Sequence, residues 1–121
     1  MVAYLYILAT VVLTVYGQLI VKWRVGELGA LPPGTMEKIE VMLRLTITPW
    51  MLSVYAAAVL AGLAWMFAVS QLELSRAYPF VGLTFGLVLI ASAVFFGESV
   101  TAGKLLGTGL IIAGILVGAR L

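Results

Sequence analysis

The chain has no cysteine, no histidine, no aspartate and no asparagine in its 121 residues. Those absences exclude disulfides, thiolate and imidazole metal ligands, and the usual nucleophile and base pairs. Acid-base chemistry is left to five glutamates, Glu27, Glu37, Glu40, Glu73 and Glu98, each in the loop or near the end of an apolar run. The expectation is a protein that is not an enzyme and needs no cofactor. Charge is also scarce, at 10% of residues, and the seven basic side chains are spread over the whole length. They make no basic face of the kind nucleic acid requires.

What remains is hydrocarbon. The chain is 64% apolar with a mean hydropathy of +1.20, which reads as an integral membrane protein forming a single domain over residues 1–121. The first apolar run, 2–21, lacks a basic n-region and a small-residue cleavage site before Lys22, so it is expected to be a retained span. About 20 residues make a helix of about 30 Å, enough to cross the hydrocarbon core. Thr10, Thr14, Gln18 and Lys22 recur at every fourth position, which keeps them on one face of that helix beside Gly17. Two readings of the stripe stand: a cavity lining, or a weakly polar packing surface that lets helices approach closely. Trp23 then marks the interface, as belt aromatics do.

From Arg24 to Thr48 the sequence turns polar, with Gly26, Gly29, Gly34 and the pair Pro32-Pro33 breaking any continuous helix. Within it Thr35 is placed to cap a short amphipathic helix over 36–47, with Glu40 set to pair with Arg44. Met36, Ile39, Met42, Leu43 and Ile47 share a side, while Val41 and Leu45 interrupt the polar face. Such a segment suits the interface plane; a solvated connector is the alternative. The second span is expected over 50–72, the third over 77–97 and the fourth over 102–119. Gly82 and Gly86 thin one face of the third, and Gly107, Gly114 and Gly118 lie on the fourth, where small residues favour helix-helix contact, within the chain or between subunits. The fold class is therefore all-α: four transmembrane helices plus a short interfacial helix between the first and second.

The most informative stretch is Leu72-Glu73-Leu74-Ser75-Arg76-Ala77-Tyr78-Pro79, which places a carboxylate, a hydroxyl, a guanidinium and a phenol beside apolar runs. An Arg at the centre of a membrane helix costs about 2.5 to 3.5 kcal/mol on insertion scales. Arg76 is thus expected at the membrane surface or in a polar cavity. Four spans put Arg76 and Arg120 on one side, and Lys22, Arg24, Lys38, Arg44 and Lys104 on the other. By the positive-inside rule the long loop is cytoplasmic.

Together with Phe95-Phe96-Gly97-Glu98-Ser99-Val100-Thr101 and the glycine-rich fourth span, the run from Leu72 resembles the drug/metabolite transporter superfamily in its EamA-like four-helix form. Within it, Tyr16-Gly17-Gln18-Leu19 with Lys22, and Leu31-Pro32-Pro33, resemble the small subunits of the flippase that moves aminoarabinose linked to undecaprenyl phosphate. The chain is more distantly similar to the small multidrug resistance exporters, sharing Gly17, Lys22, Ala77-Tyr78 and the Gly107 and Gly114 spacing. Those exporters carry a membrane-embedded carboxylate where this chain has Thr14. The resemblance implies a multi-pass protein of the bacterial inner membrane that acts as a homodimer or with a similar partner and binds an anionic lipid-linked sugar. Arg76, then Lys22, are the candidates for its phosphate, since guanidinium binds such oxygens bidentately. Gln18, Thr14 and Tyr78 are candidates for its headgroup. A snorkelling anchor is the plainer role for either basic residue. An exporter of cationic compounds and a non-transport assembly subunit are the alternative functions.

Overall fold

The computed structural model describes residues 2–120, with side chains described for 2–119. Helix α1 (Val2–Glu27) contains no proline, and leaving the apolar run does not end it, because Lys22, Arg24 and Glu27 are acceptable helix residues. It stops only before Gly29, whose φ of 69° is left-handed. The helix therefore runs six residues past the expected end at 21. At 26 residues it is about 39 Å long, more than the hydrocarbon core, so its last turns reach the headgroup zone.

Helix α2 (Thr35–Thr46) begins one residue earlier than expected, and its start corrects the sequence reading. Gly34 occupies the N-cap and Thr35 makes no capping hydrogen bond. The Glu37 carboxylate instead folds back over Gly34, where any Cβ would collide with it. Glu40 and Arg44 form their ion pair. Met36, Ile39, Leu43 and Ile47 are exposed, whereas Leu45 is buried against the rest of the protein. The residues that interrupted the polar face are thus the ones that dock α2, and its other apolar face stays free.

Helix α3 (Pro49–Val69) starts with proline in its first turn, where the missing N–H costs nothing. Ala57, Ala61, Ala64 and Ala68 form a buried seam along it, and small side chains of this kind let α1 approach closely. The two helices run antiparallel. Tyr6 stacks on Phe67 with centroids 5.1 Å apart, the Tyr16 and Ser53 hydroxyls are 2.8 Å apart, and Trp23 meets Trp50 edge-on at 5.2 Å. The best-packed cluster, Ile7, Val11, Ala68 and Ala77, lies toward the start of α1.

The third span is composite. A four-residue helix, α4 (Leu74–Ala77), leads through a 3-10 turn over Tyr78–Gly82 into α5 (Leu83–Phe96). It begins before the expected Ala77, and Pro79, which has no amide hydrogen for an α-helical ladder, sits in the tighter 3-10 turn. Gly97 ends α5 in the left-handed conformation, with φ 64°. Helix α6 (Ala102–Arg120) completes the set, giving four segments long and apolar enough to span a membrane.

Gly82 and Gly86 face α6. A Cβ at Gly82 would lie 3.0 Å from Ile115 Cδ1 and 3.2 Å from Ile111 Cγ2, and one at Gly86 would lie 3.3 Å from Ile112 Cδ1. Among the described residues, nothing beyond the helix's own backbone comes within 4 Å of a Cβ position at Gly107, Gly114 or Gly118. Gly82, at the end of the 3-10 turn, and Gly86 of α5 serve packing within the chain, while Gly107, Gly114 and Gly118 of α6 are exposed.

Candidate functional site

The polar stripe of α1 divides along its length. Thr10 is buried and its hydroxyl donates to the carbonyls of Tyr6, at 2.9 Å, and Ala61, at 3.3 Å. It belongs to the α1–α3 contact. One turn on, Thr14 is half-buried, its hydroxyl donating to the Thr10 carbonyl at 2.7 Å, and there the packing opens. Thr14 lines a groove of about 240 Å³ with Gln18, Gly17 and Val54. It also lines a second of about 390 Å³ with Tyr78, Pro79, Thr84 and Phe85. Cavity lining and helix packing are both present, on successive turns.

The two grooves differ in how they are built. The first follows from Gly17, which removes a side chain beside Val54 and lets Gln18 stand at the edge. The second follows from the 3-10 turn, which carries Tyr78 and Pro79 across the face of α1. Tyr78 is exposed and meets Trp65 edge-on at 6.1 Å. Thr84 was not singled out in the sequence. Its hydroxyl is buried with no hydrogen-bond partner among the described residues. Its position between Gly82 and Gly86, in an otherwise apolar segment, is the only trace it leaves in the sequence.

Arg76 and Lys22 line neither groove. Arg76 is exposed on α4, next to the Tyr78 turn. Tyr4 packs edge-on against Phe80 at 5.5 Å, which sets that turn beside the start of α1; Lys22, 18 residues along the same helix, is about 27 Å further on. The two cations therefore sit at opposite ends of the bundle. Lys22 approaches Glu98 at 3.8 Å, and both side chains are largely exposed. This link ties the far end of α1 to the turn between α5 and α6, where a further groove of about 360 Å³ includes Glu98, Lys104 and Thr108.

All five glutamates lie outside the middle of the spans: Glu27 ends α1, Glu37 and Glu40 are on α2, Glu73 precedes α4 and Glu98 is in a turn. Among the described residues no group of acidic side chains could hold a metal ion. The grooves thus offer hydroxyls, an amide and aromatic edges, with a cation beyond each end. Such a lining hydrogen-bonds neutral polar groups and leaves charge to be met at the membrane surfaces.

Comparison with known proteins adds three relatives. The chain is 32% identical over 113 residues to the "probable 4-amino-4-deoxy-L-arabinose-phosphoundecaprenol flippase subunit ArnE" of Aeromonas hydrophila, covering 93% of each chain. It is 35% identical over 118 residues to the similarly named subunit ArnF of Erwinia tasmaniensis, covering 93% of this chain and 91% of that one. With ArnF of Serratia proteamaculans it shares 32% over 114 residues, 88% of this chain and 84% of the relative. No protein-family profile matches the chain. No solved structure matches it.

Proposed function

The chain belongs to the family of 4-amino-4-deoxy-L-arabinose-phosphoundecaprenol flippase subunits, and on that premise we propose that it is a transport subunit moving an undecaprenyl-phosphate-linked sugar across the bacterial inner membrane. The observation that carries the mechanism is Thr14, which lines both grooves. A sugar passing along α1 exchanges hydrogen bonds with Tyr78, Thr14 and Gln18 in turn. The grooves are open and not enclosed, which lets the polyprenyl tail stay in lipid while the headgroup travels.

In this reading Arg76 and Lys22 are successive phosphate sites at the two ends of the path. Neither is locked away: Arg76 is exposed, and Lys22 is engaged only by a long, exposed ion pair, which is weak and exchangeable. The long loop faces the cytoplasm, following its excess of Lys and Arg. One subunit leaves its grooves open on one side, so a second copy or a similar small subunit closes them. The α6 glycines, facing nothing in this chain, suit that contact. Nothing in the grooves supports export of cationic compounds, because no carboxylate lines the two that meet at Thr14.

The test is binding of undecaprenyl phosphate to the protein in lipid nanodiscs, wild type beside Arg76→Ala, Lys22→Ala and Thr14→Val, with a quaternary-ammonium dye as competitor. Saturable lipid binding, weakened about tenfold (about 1.4 kcal/mol) by loss of either cation and unaffected by the dye, is expected. Dye binding without lipid binding would sink the proposal.

A further inference from the structure

A separate groove of about 340 Å³ lies where the end of α1 meets α2, lined by Arg24, Leu28, Val41, Arg44, Leu45 and Thr48. Its two cations come from different elements, so the arrangement is tertiary and not a run of neighbouring charges. The Arg24 side chain is 24% exposed, and its Nε is buried with no hydrogen-bond partner. The same guanidinium donates through Nη1 to Glu27 at 2.8 Å and lies 5.3 Å from the centre of the Trp23 ring. A buried guanidinium N–H without an acceptor is uncommon, because leaving it unmade costs the full desolvation of that group. Arg44, opposite, is far more exposed and is held only by Glu40 within its own helix. No carboxylate lines the groove itself.

The level of this groove in the membrane follows from its neighbours. Trp23 and Trp50 pair at the same end of α1 and α3, as interfacial aromatics do. The free apolar face of α2, Met36, Ile39, Leu43 and Ile47, is suited to lie among the upper acyl chains. The groove therefore lies at the level of the lipid headgroups, with apolar Leu28, Val41 and Leu45 and the two arginines in one lining. Two guanidiniums converge on oxyanions through planar, forked donors that match phosphate.

We propose that the Arg24–Arg44 groove is a binding site for the phosphate of an anionic membrane lipid, separate from the grooves along α1. A bound headgroup accepts from the Arg24 and Arg44 guanidinium groups that line the groove, and pins α2 to the end of α1. The phosphate chemistry is shared by free inorganic phosphate, but the apolar part of the lining and the apolar face of α2 beside it favour a lipid-borne group.

Native mass spectrometry of the detergent-solubilised full chain tests this, with phosphatidylglycerol, phosphatidylcholine or inorganic phosphate added. The proteins compared are wild type, Arg44→Gln, Arg24→Gln/Arg44→Gln and Lys38→Gln, the last removing a charge from α2 that does not line the groove. One retained phosphatidylglycerol is expected, bound about tenfold more weakly by the double variant and severalfold more weakly by Arg44→Gln, but equally well by Lys38→Gln. Arg44 is exposed, so its single variant keeps the test valid even if Arg24 is needed for folding. Equal retention of both lipids by all four proteins, or equal loss in Lys38→Gln, would overturn the proposal. Saturation by inorganic phosphate with no preference for phosphatidylglycerol would overturn the lipid assignment.

Discussion

Replacing Gly82 with alanine probes how α6 is held, because among the glycines of the third span its Cβ position is the one α6 approaches most closely. The added Cβ would lie 3.0 Å from Ile115 Cδ1 and 3.2 Å from Ile111 Cγ2, where carbon atoms settle at about 3.5 to 4.0 Å. Ile111 is 38% exposed and can turn outward; Ile115 is 4% exposed and has no free space to take. The strain must then be relieved by moving α6 by several tenths of an ångström. Overpacking of this kind costs about 1–3 kcal/mol, and removing a glycine from a helical segment returns up to about 1 kcal/mol. The expected net effect is a loss of about 1 kcal/mol, with Gly86→Ala closer to neutral because its nearest contact, Ile112, is at 3.3 Å and only half-buried. Gly114→Ala meets nothing in the chain and serves as the reference. Unfolding by sodium dodecyl sulfate titration in mixed micelles, followed by tryptophan fluorescence, reads all three. Equal stability of Gly82→Ala and Gly114→Ala would refute the placement of α6 against Gly82.

Two further substitutions test links across the bundle. Tyr16→Phe removes the 2.8 Å hydroxyl contact with Ser53 between α1 and α3, and should cost about 0.6 kcal/mol in the same titration, as interhelical hydrogen bonds in membranes do; a loss above about 2 kcal/mol would mean that the phenol does more than bridge two helices. Glu98→Gln breaks the pair with Lys22, whose partners are 62% and 41% exposed, so screening should hold its effect on stability to at most about 0.5 kcal/mol. The same variant should tighten undecaprenyl phosphate binding by freeing Lys22, and weaker binding would count against Lys22 as a phosphate site.

The spans were legible because each is a long apolar run bounded by polar or helix-breaking residues, and hydropathy reads exactly that contrast in solvent preference. Their ends were less so. The first run stops being apolar at Val21, but the helix stops at Glu27, since leaving hydrocarbon is a change of solvent and only Gly29 is a change of backbone. Likewise Pro79 signalled a helix start, yet the chain had already made a turn of α-helix at Leu74 and tightened into a 3-10 segment. In the site, the fourfold spacing of Thr10, Thr14, Gln18 and Lys22 could be seen in the sequence. The division of labour among them could not, because whether a threonine packs or lines a groove depends on what α3 and the Tyr78 turn place opposite it. That the Thr84 hydroxyl and Arg24 Nε lack hydrogen-bond partners was invisible for the same reason: an unpaired donor is a property of the neighbours that fail to reach it.

The uneven packing of the four spans bears on how such a small protein could handle the proposed lipid-linked substrate. Within the most apolar stretches of α1 and α3, 22% and 17% of residues are buried, against 6% in each of the other two spans. The α1–α3 pair, locked by the alanine seam, is therefore the fixed part, and α5 with α6 presents most of its surface outward. Each groove at Thr14 is near or below the lower end of the size of ordinary small-molecule pockets, about 300–1,000 Å³. Neither encloses a glycolipid headgroup. An open groove is nonetheless what a lipid-linked substrate requires, because its tail never leaves the bilayer and only the sugar and phosphate need shelter. The proposed second subunit then supplies the missing wall, and the packing within this chain leaves α5 and α6 with the most uncovered surface to receive it.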